Sequence, residues 1–349
     1  MKCLVVFCVV VIAIATLCRV EAQTWNSLPS IPDTEGFAGA YAGVAADALL
    51  IAGGANFPDK KPWEGGIKVW YDTVYALDRP DAQWRKVGRL PRPLGYGVSV
   101  TYQNEVICVG GSDATRHYAD CFRIGLKERQ LKISTLPNLP EAIANCSGAL
   151  VGHHLYVMGG QSAPTSTSAL SRVWRLDLSK QDADWEMFPK LPGAGRIFPV
   201  AAAVGDTFFI VGGASLDAGS DGKAVRTYLR DAYAYDPNVG WKRQADCPSP
   251  IMASPSPAPA VSDGFVVLGG DDGSQVGVSA ADHRGFSRRR FQYHLSENRW
   301  TTHDDVEHPR VTVPCVVWHD QVVVPSGEMR PGIRSPEVKA VSLDALKGP

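Results

Sequence analysis

The densest group of chemically capable residues lies near the end of this 349-residue chain: Gly327-Glu328-Met329-Arg330-Pro331-Gly332-Ile333-Arg334-Ser335. A carboxylate and two guanidinium groups flank a Pro-Gly turn, where proline fixes φ and glycine permits a positive one. Arginine suits a substrate carboxylate, because its fork makes two parallel hydrogen bonds. Glutamate beside a sugar hydroxyl suits proton transfer. A plainer reading stands beside this one: Glu328 salt-bridges Arg330 or Arg334 and does nothing more. Other segments supply Asn56, Lys60, Trp63, Glu64 and Lys68, and then Arg92, Tyr96, Asn145 and Arg196. Trp63 could stack on a sugar or cap the core. Tyr96 could touch a ligand or pack in a channel wall. Brought together, these groups would bind and process an anionic polyol.

The elements that must bring them together are marked by a recurring glycine pair. It occurs as Gly53-Gly54, Gly110-Gly111, Gly159-Gly160, Gly212-Gly213 and Gly269-Gly270, with a sixth copy reading Ser326-Gly327. Steps of 57, 49, 53, 57 and 57 residues separate the copies, and each ends an apolar run of strand type such as Leu49-Leu50-Ile51-Ala52. A repeat near 50 residues with alternating strands and turn punctuation predicts a radial array of four-stranded units. Trp84, Trp185, Trp241 and Trp300 recur on the fourth strand as core residues, with Ile133 in that place in the second unit. The last unit supplies three strands and stops, whereas Trp25-Asn26-Ser27-Leu28-Pro29 reads as a lone fourth strand. The pattern resembles the kelch family and predicts an all-β, six-bladed kelch-type β-propeller over residues 23–349, its ring closed by the N-terminal strand joining the last blade. Short a–b turns and long b–c loops put the site on one face, where residues 55–71, 214–228, 271–289 and 328–337 converge.

Composition narrows the partners. Residues 1–22 hold Lys2, an apolar run from Leu4 to Leu17 and Val20-Glu21-Ala22, the form of a secretory signal peptide, so a secreted or periplasmic location is expected. Without Lys2, Arg19 and Glu21 the chain carries 33 basic and 35 acidic residues. That balance favours neither nucleic acid nor an anionic membrane once the leader is gone. Five cysteines remain, Cys108, Cys121, Cys146, Cys247 and Cys315, an odd set that suits buried small hydrophobes. Cys108 and Cys121 fall on neighbouring strands, where one bridge is conceivable. No Cys/His spacing suggests a metal site.

The stretch Gly327-Glu328-Met329-Arg330-Pro331-Gly332-Ile333-Arg334 resembles the Gly-Glu-x-x-Pro-Gly-x-Arg motif of the N-acetylneuraminate mutarotases (sialic acid epimerases). Gly36-Phe37-Ala38-Gly39-Ala40-Tyr41-Ala42-Gly43 and Gly95-Tyr96-Gly97-Val98-Ser99 are similar to further stretches of that family. The Glu-bearing blade comes last here, so the blade order looks cyclically permuted. The resemblance implies a cofactor-independent isomerase acting on an acidic sugar, with no metal. It implies Glu328 as proton-transfer residue and Arg334 as substrate ligand, joined by Arg196; Asn56, Trp63, Tyr96 and Arg330 are expected around the sugar from their place on the same face. Leu94 stands where the family has arginine. The competing expectation is a non-catalytic secreted propeller that binds glycans or proteins.

Overall fold

The computed structural model describes residues 24–347; the leader expected at residues 1–22 lies outside them. Six four-stranded antiparallel sheets stand radially, and no α-helix occurs among the described residues. Blade 1, for example, runs Tyr41–Ala45, Ala48–Ala52, Thr73–Leu77 and Arg85–Arg89 as strands a to d outward from the axis. Burial follows that order. Ala48–Ala52 is buried at every position, whereas the outer strand Gln130–Thr135 of blade 2 is largely exposed. An inner strand sandwiched between neighbouring blades needs apolar residues on both faces, which is why its sequence is continuous rather than alternating. In blade 6 the fourth strand is Asn26–Leu28, which pairs antiparallel with Val338–Ala340 in the register Asn26↔Ala340, Ser27↔Lys339, Leu28↔Val338. The two ends of the chain thus share one sheet.

The glycine pairs are blade-to-blade contacts. Both members take positive φ, 65° and 89° at Gly53 and Gly54. A Cβ at Gly53 would lie 2.3 Å from the Leu94 carbonyl oxygen, and one at Gly212 would lie 2.2 Å from that of Ile251. The second glycine then donates its N–H to the same neighbour: Gly54, Gly111, Gly160, Gly213 and Gly327 bond the carbonyls of Leu94, Ile143, Arg196, Ile251 and Phe37. Ser326 is the exception that fits. Its Oγ accepts the Phe37 N–H at 2.7 Å and lies 2.7 Å from the Ser335 carbonyl oxygen. A side chain is accommodated there because its hydroxyl is fully used.

Two residues after each of those five carbonyls, and likewise two after Arg310, the backbone again turns left-handed. Gly39, Tyr96, Asn145, Phe198, Ala253 and Thr312 all have φ between 48° and 66°. Each N–H donates to the carbonyl of the equivalent residue in the preceding blade, at 2.6 to 2.9 Å, and Gly39 closes the circle by bonding Thr312. Six backbone hydrogen bonds therefore form a continuous belt around the axial channel. Positive φ at five non-glycine residues, one β-branched, is uncommon; the belt holds them there.

At the periphery, the indole N–H groups of Trp84, Trp185, Trp241 and Trp300 donate to the carbonyls of Pro29, Pro137, Pro189 and Ala245 in the preceding blade. The five cysteines among the described residues are buried free thiols. Cys108 faces Phe122 and Cys121 faces Val109 across the same strand pair, so alternation puts the two sulfurs on opposite sides of the sheet and no bridge forms.

Candidate functional site

The residue that follows each glycine pair stands on one end of the ring. These are Ala55, Ser112, Gln161, Ala214, Asp271 and Glu328, each bridged to the residue just before the belt: Ala38, Gly95, Ala144, Ile197, Met252 and Val311. The long b–c loops rise from these points. Three of them are β-ribbons, Ala55–Asn56 with Val69–Trp70, Ala214–Ala218 with Ala224–Tyr228, and Glu328–Arg330 with Ile333–Arg334. The sequence pattern predicts loops at these places. The middle ribbon projects into solvent, so Ala224–Arg226 shows no buried alternation to betray a strand.

Glu328 and Arg334 are directly opposite in their ribbon, joined by Pro331-Gly332 with Gly332 at φ 79°. The Gly332 N–H donates to Glu328 Oε1 at 2.6 Å, and Arg334 Nη1 lies 3.2 Å from the same oxygen. The pair is therefore ion-paired, as the plainer reading had it, but not saturated. Arg334 is nearly fully buried, its guanidinium stacked 4.8 Å from the Phe57 ring centre, and its Nε and Nη1 make no hydrogen bond among the described residues. A buried donor without an acceptor costs about 1–3 kcal/mol, more when charged; the Glu328 carboxylate 3.2 Å from Nη1 and the Phe57 ring are what meet this guanidinium. Arg330, half-buried on the same ribbon, has no ion-pair partner among the described residues.

The other expected residues take different places. Trp63, half exposed, lies with Pro62 against the hairpin turn: a Cβ at Gly332 would come within 2.8 Å of Pro62 and 3.2 Å of Trp63. Tyr96 is a belt residue whose ring meets Trp70 and Phe198 edge-on. Asn56 is buried and fully engaged, donating to Asp33 and the Gly36 carbonyl and accepting from the Tyr71 hydroxyl. It supports the Asp33–Gly36 turn, which packs on Ser335 beside Arg334; it is not free to face a sugar. Arg196 requires the largest revision. It is fully buried, and both Nη atoms close on the Asp231 carboxylate at 2.8 and 2.9 Å while Nη1 also bonds the Gly212 carbonyl. It occupies the position held by Leu94, Ile143 and Ile251 in other blades, two residues before the belt, and joins blades rather than facing the mouth.

A cavity of about 910 Å³ opens on the same face. Lys68, Trp70 and Tyr96 line one side, His117, Asn145 and Gln161 another, and Tyr228 the far wall. Asn145 Nδ2 donates to Gln161 Oε1 at 2.9 Å, and His117 Nδ1 meets the Gln161 carbonyl at 2.9 Å. Burial pulls the His117 imidazole below its ordinary range, which keeps it neutral near pH 7. Tyr228 donates to Asp271 at 2.9 Å, and burial, reinforced by that carboxylate, pushes its hydroxyl up to about 12. Asp271 was missed in the sequence although it follows Gly269-Gly270 at the position that Glu328 holds in blade 6.

These features define a six-bladed β-propeller with a polar mouth built from its b–c loops. The chain belongs to the N-acetylneuraminate epimerase family, which it matches over residues 13–133 and 136–277. A 109-residue segment is 42% identical to the N-acetylneuraminate epimerase of Salmonella enteritidis, covering 27% of this chain and 28% of that protein. An 88-residue segment is 46% identical to the one from Yersinia pestis, covering 22% and 21%. The aligned segments thus span about a quarter of those relatives, and the family match ends before Glu328. A solved structure described as "Structure of YjhT" superposes with a TM-score of 0.66 at 16% identity, over 91% of this chain and 97% of that one. That likeness speaks for the fold.

Proposed function

We propose that the protein interconverts the anomers of N-acetylneuraminic acid or a related acidic sugar, with Glu328 as the proton-transfer residue. The observation that carries this reading is the Glu328–Arg334 pair, a carboxylate and a guanidinium held opposite each other on one short ribbon, with the Gly332 N–H on the same carboxylate oxygen. Family membership and the names of the relatives support the substrate class. The reaction transfers no electrons and no group, so its chemistry calls for proton carriers alone. Glu328 takes the proton of the anomeric hydroxyl as the bond from the anomeric carbon to the ring oxygen breaks. The Glu328 carboxyl passes that proton to the ring oxygen, the resulting ketone rotates, and on closure at its other face Glu328 takes the proton from the ring hydroxyl and returns it to the new anomeric oxygen. Gly332 N–H and Arg334 orient the carboxylate through this cycle, and Trp63 shields the turn that holds it. The apolar leader supports a place of action outside the cytoplasm.

General acid–base help of this kind contributes roughly 10²–10⁴-fold. Glu328→Gln should therefore abolish the acceleration of anomer exchange followed by NMR, while sugar binding and the circular dichroism spectrum persist. Exchange at the wild-type rate in this variant would remove Glu328 from the mechanism. A wild-type protein that binds the sugar without speeding exchange would mark a binding module instead.

A further inference from the structure

The Glu328–Arg334 ribbon does not line the large cavity, and Arg334 is already in contact with its own glutamate. Three other cations line that space: Lys223 and Arg226 on the ribbon that projects into solvent, and Lys68 at its inner wall. Lys68 Nζ sits 4.1 Å from the centre of the Tyr96 ring and 4.7 Å from that of Trp70. No carboxylate lies within ion-pairing distance of it among the described residues, whereas Lys61 on the same loop is ion-paired with Glu35.

The protein builds this position deliberately. Lys68 enters the ribbon strand Val69–Trp70, which pairs with Ala55–Asn56, and Asn56 is pinned by Asp33, Gly36 and Tyr71. Tyr96 is fixed by the belt, because its N–H and carbonyl bond Gly39 and Asn145. Two aromatic faces hold an ammonium by cation–π attraction without neutralising its charge. Beside it stand Asn145, Gln161 and the Phe198 ring, planar amides and apolar faces of the kind that contact hydroxyls and the C–H faces of a pyranose. The one acidic side chain on the near rim, Asp113, is turned inward to Tyr118, Thr115 and Arg116.

We infer that this cavity is a binding site for an anionic sugar and that Lys68 is the cation that receives its carboxylate. The inference takes the ligand's charge from the proposed function but not its catalytic step. Lysine serves here as a point charge on a stem packed against rings.

Titration calorimetry tests it with two probes, N-acetylneuraminate and its methyl ester, in which a methyl group cancels the charge. The wild type should prefer the acid. Lys68→Met, which keeps the stem and removes the charge, should weaken acid binding on the order of 10- to 100-fold and leave the ester unchanged, while Lys68→Arg should retain the preference. An undiminished preference for the acid in Lys68→Met overturns the inference. So does loss of that preference in Arg334→Met alone, which would assign the carboxylate to Arg334. Loss of anomer exchange in the presence of normal Lys68-dependent binding would sink the mutarotase reading and leave this site standing. A wild type that binds neither probe overturns both.

Discussion

Arg196 shows how the position of a residue overrides its type. Its side chain is built into the joint between blades, and the charge survives burial only because Asp231 and the Gly212 carbonyl meet it. Removing one partner of a buried pair strands the other, typically at about 3–5 kcal/mol. The two halves of this pair are unequal, because Asp231 keeps some solvent contact and Arg196 has none. Asp231→Asn should therefore destabilise the protein more in urea unfolding than Arg196→Leu, which restores the residue type of the equivalent positions Leu94 and Ile143. Equal losses would mean the pair contributes no more than its packing. Arg310 repeats the arrangement in blade 6, with Glu337 at 2.7 Å from its Nη2. Sequence alone named Arg196 because arginine is the residue a carboxylate ligand wants. The offset of two residues before Phe198, which makes it an interior position, emerges only when the six belt residues are aligned.

At the scale of elements, the Glu328 ribbon is a short hairpin whose turn cannot change without moving the carboxylate. Gly332 adopts φ 79°, donates to Glu328, and leaves no room for a Cβ against Pro62. Gly332→Ala should lower the rate of anomer exchange well beyond its effect on melting temperature. A variant that loses stability and keeps its rate would show that Glu328 does not depend on this turn. The sequence displayed this element well, since Pro-Gly announces a turn and Glu328 and Arg334 bracket it. The strands of the blades are equally plain, because an apolar run recurs six times, closed five times by a glycine pair and once by Ser326-Gly327. The ribbon Ala214–Ala218 with Ala224–Tyr228 was not, because a hairpin that leaves the core carries no burial pattern. Lys68 and the Tyr228–Asp271 pair were obscure for another reason: their significance depends on neighbours contributed by other blades.

For the whole molecule, the closing strand Asn26–Leu28 removes what would otherwise be an open sheet edge at Val338–Ser342. Deleting residues 24–29 should lower the melting temperature and produce concentration-dependent association on size-exclusion chromatography. A deleted protein that stays monomeric with an unchanged transition would show that the ring needs no such clasp. The sequence disclosed this closure because the missing fourth strand of the last blade stood visibly at the other terminus. It could not disclose the belt, since Gly, Tyr, Asn, Phe, Ala and Thr share no chemistry and only their backbone torsions are alike. That mismatch has a consequence for how such a protein changes. Because the belt is tied through main-chain atoms, the five side chains it carries around the channel are exchangeable without retooling the frame; Gly39, against Tyr96, has no room for one. New selectivity can be written there one blade at a time, the scaffold acting as a chuck that grips whatever tool it is given.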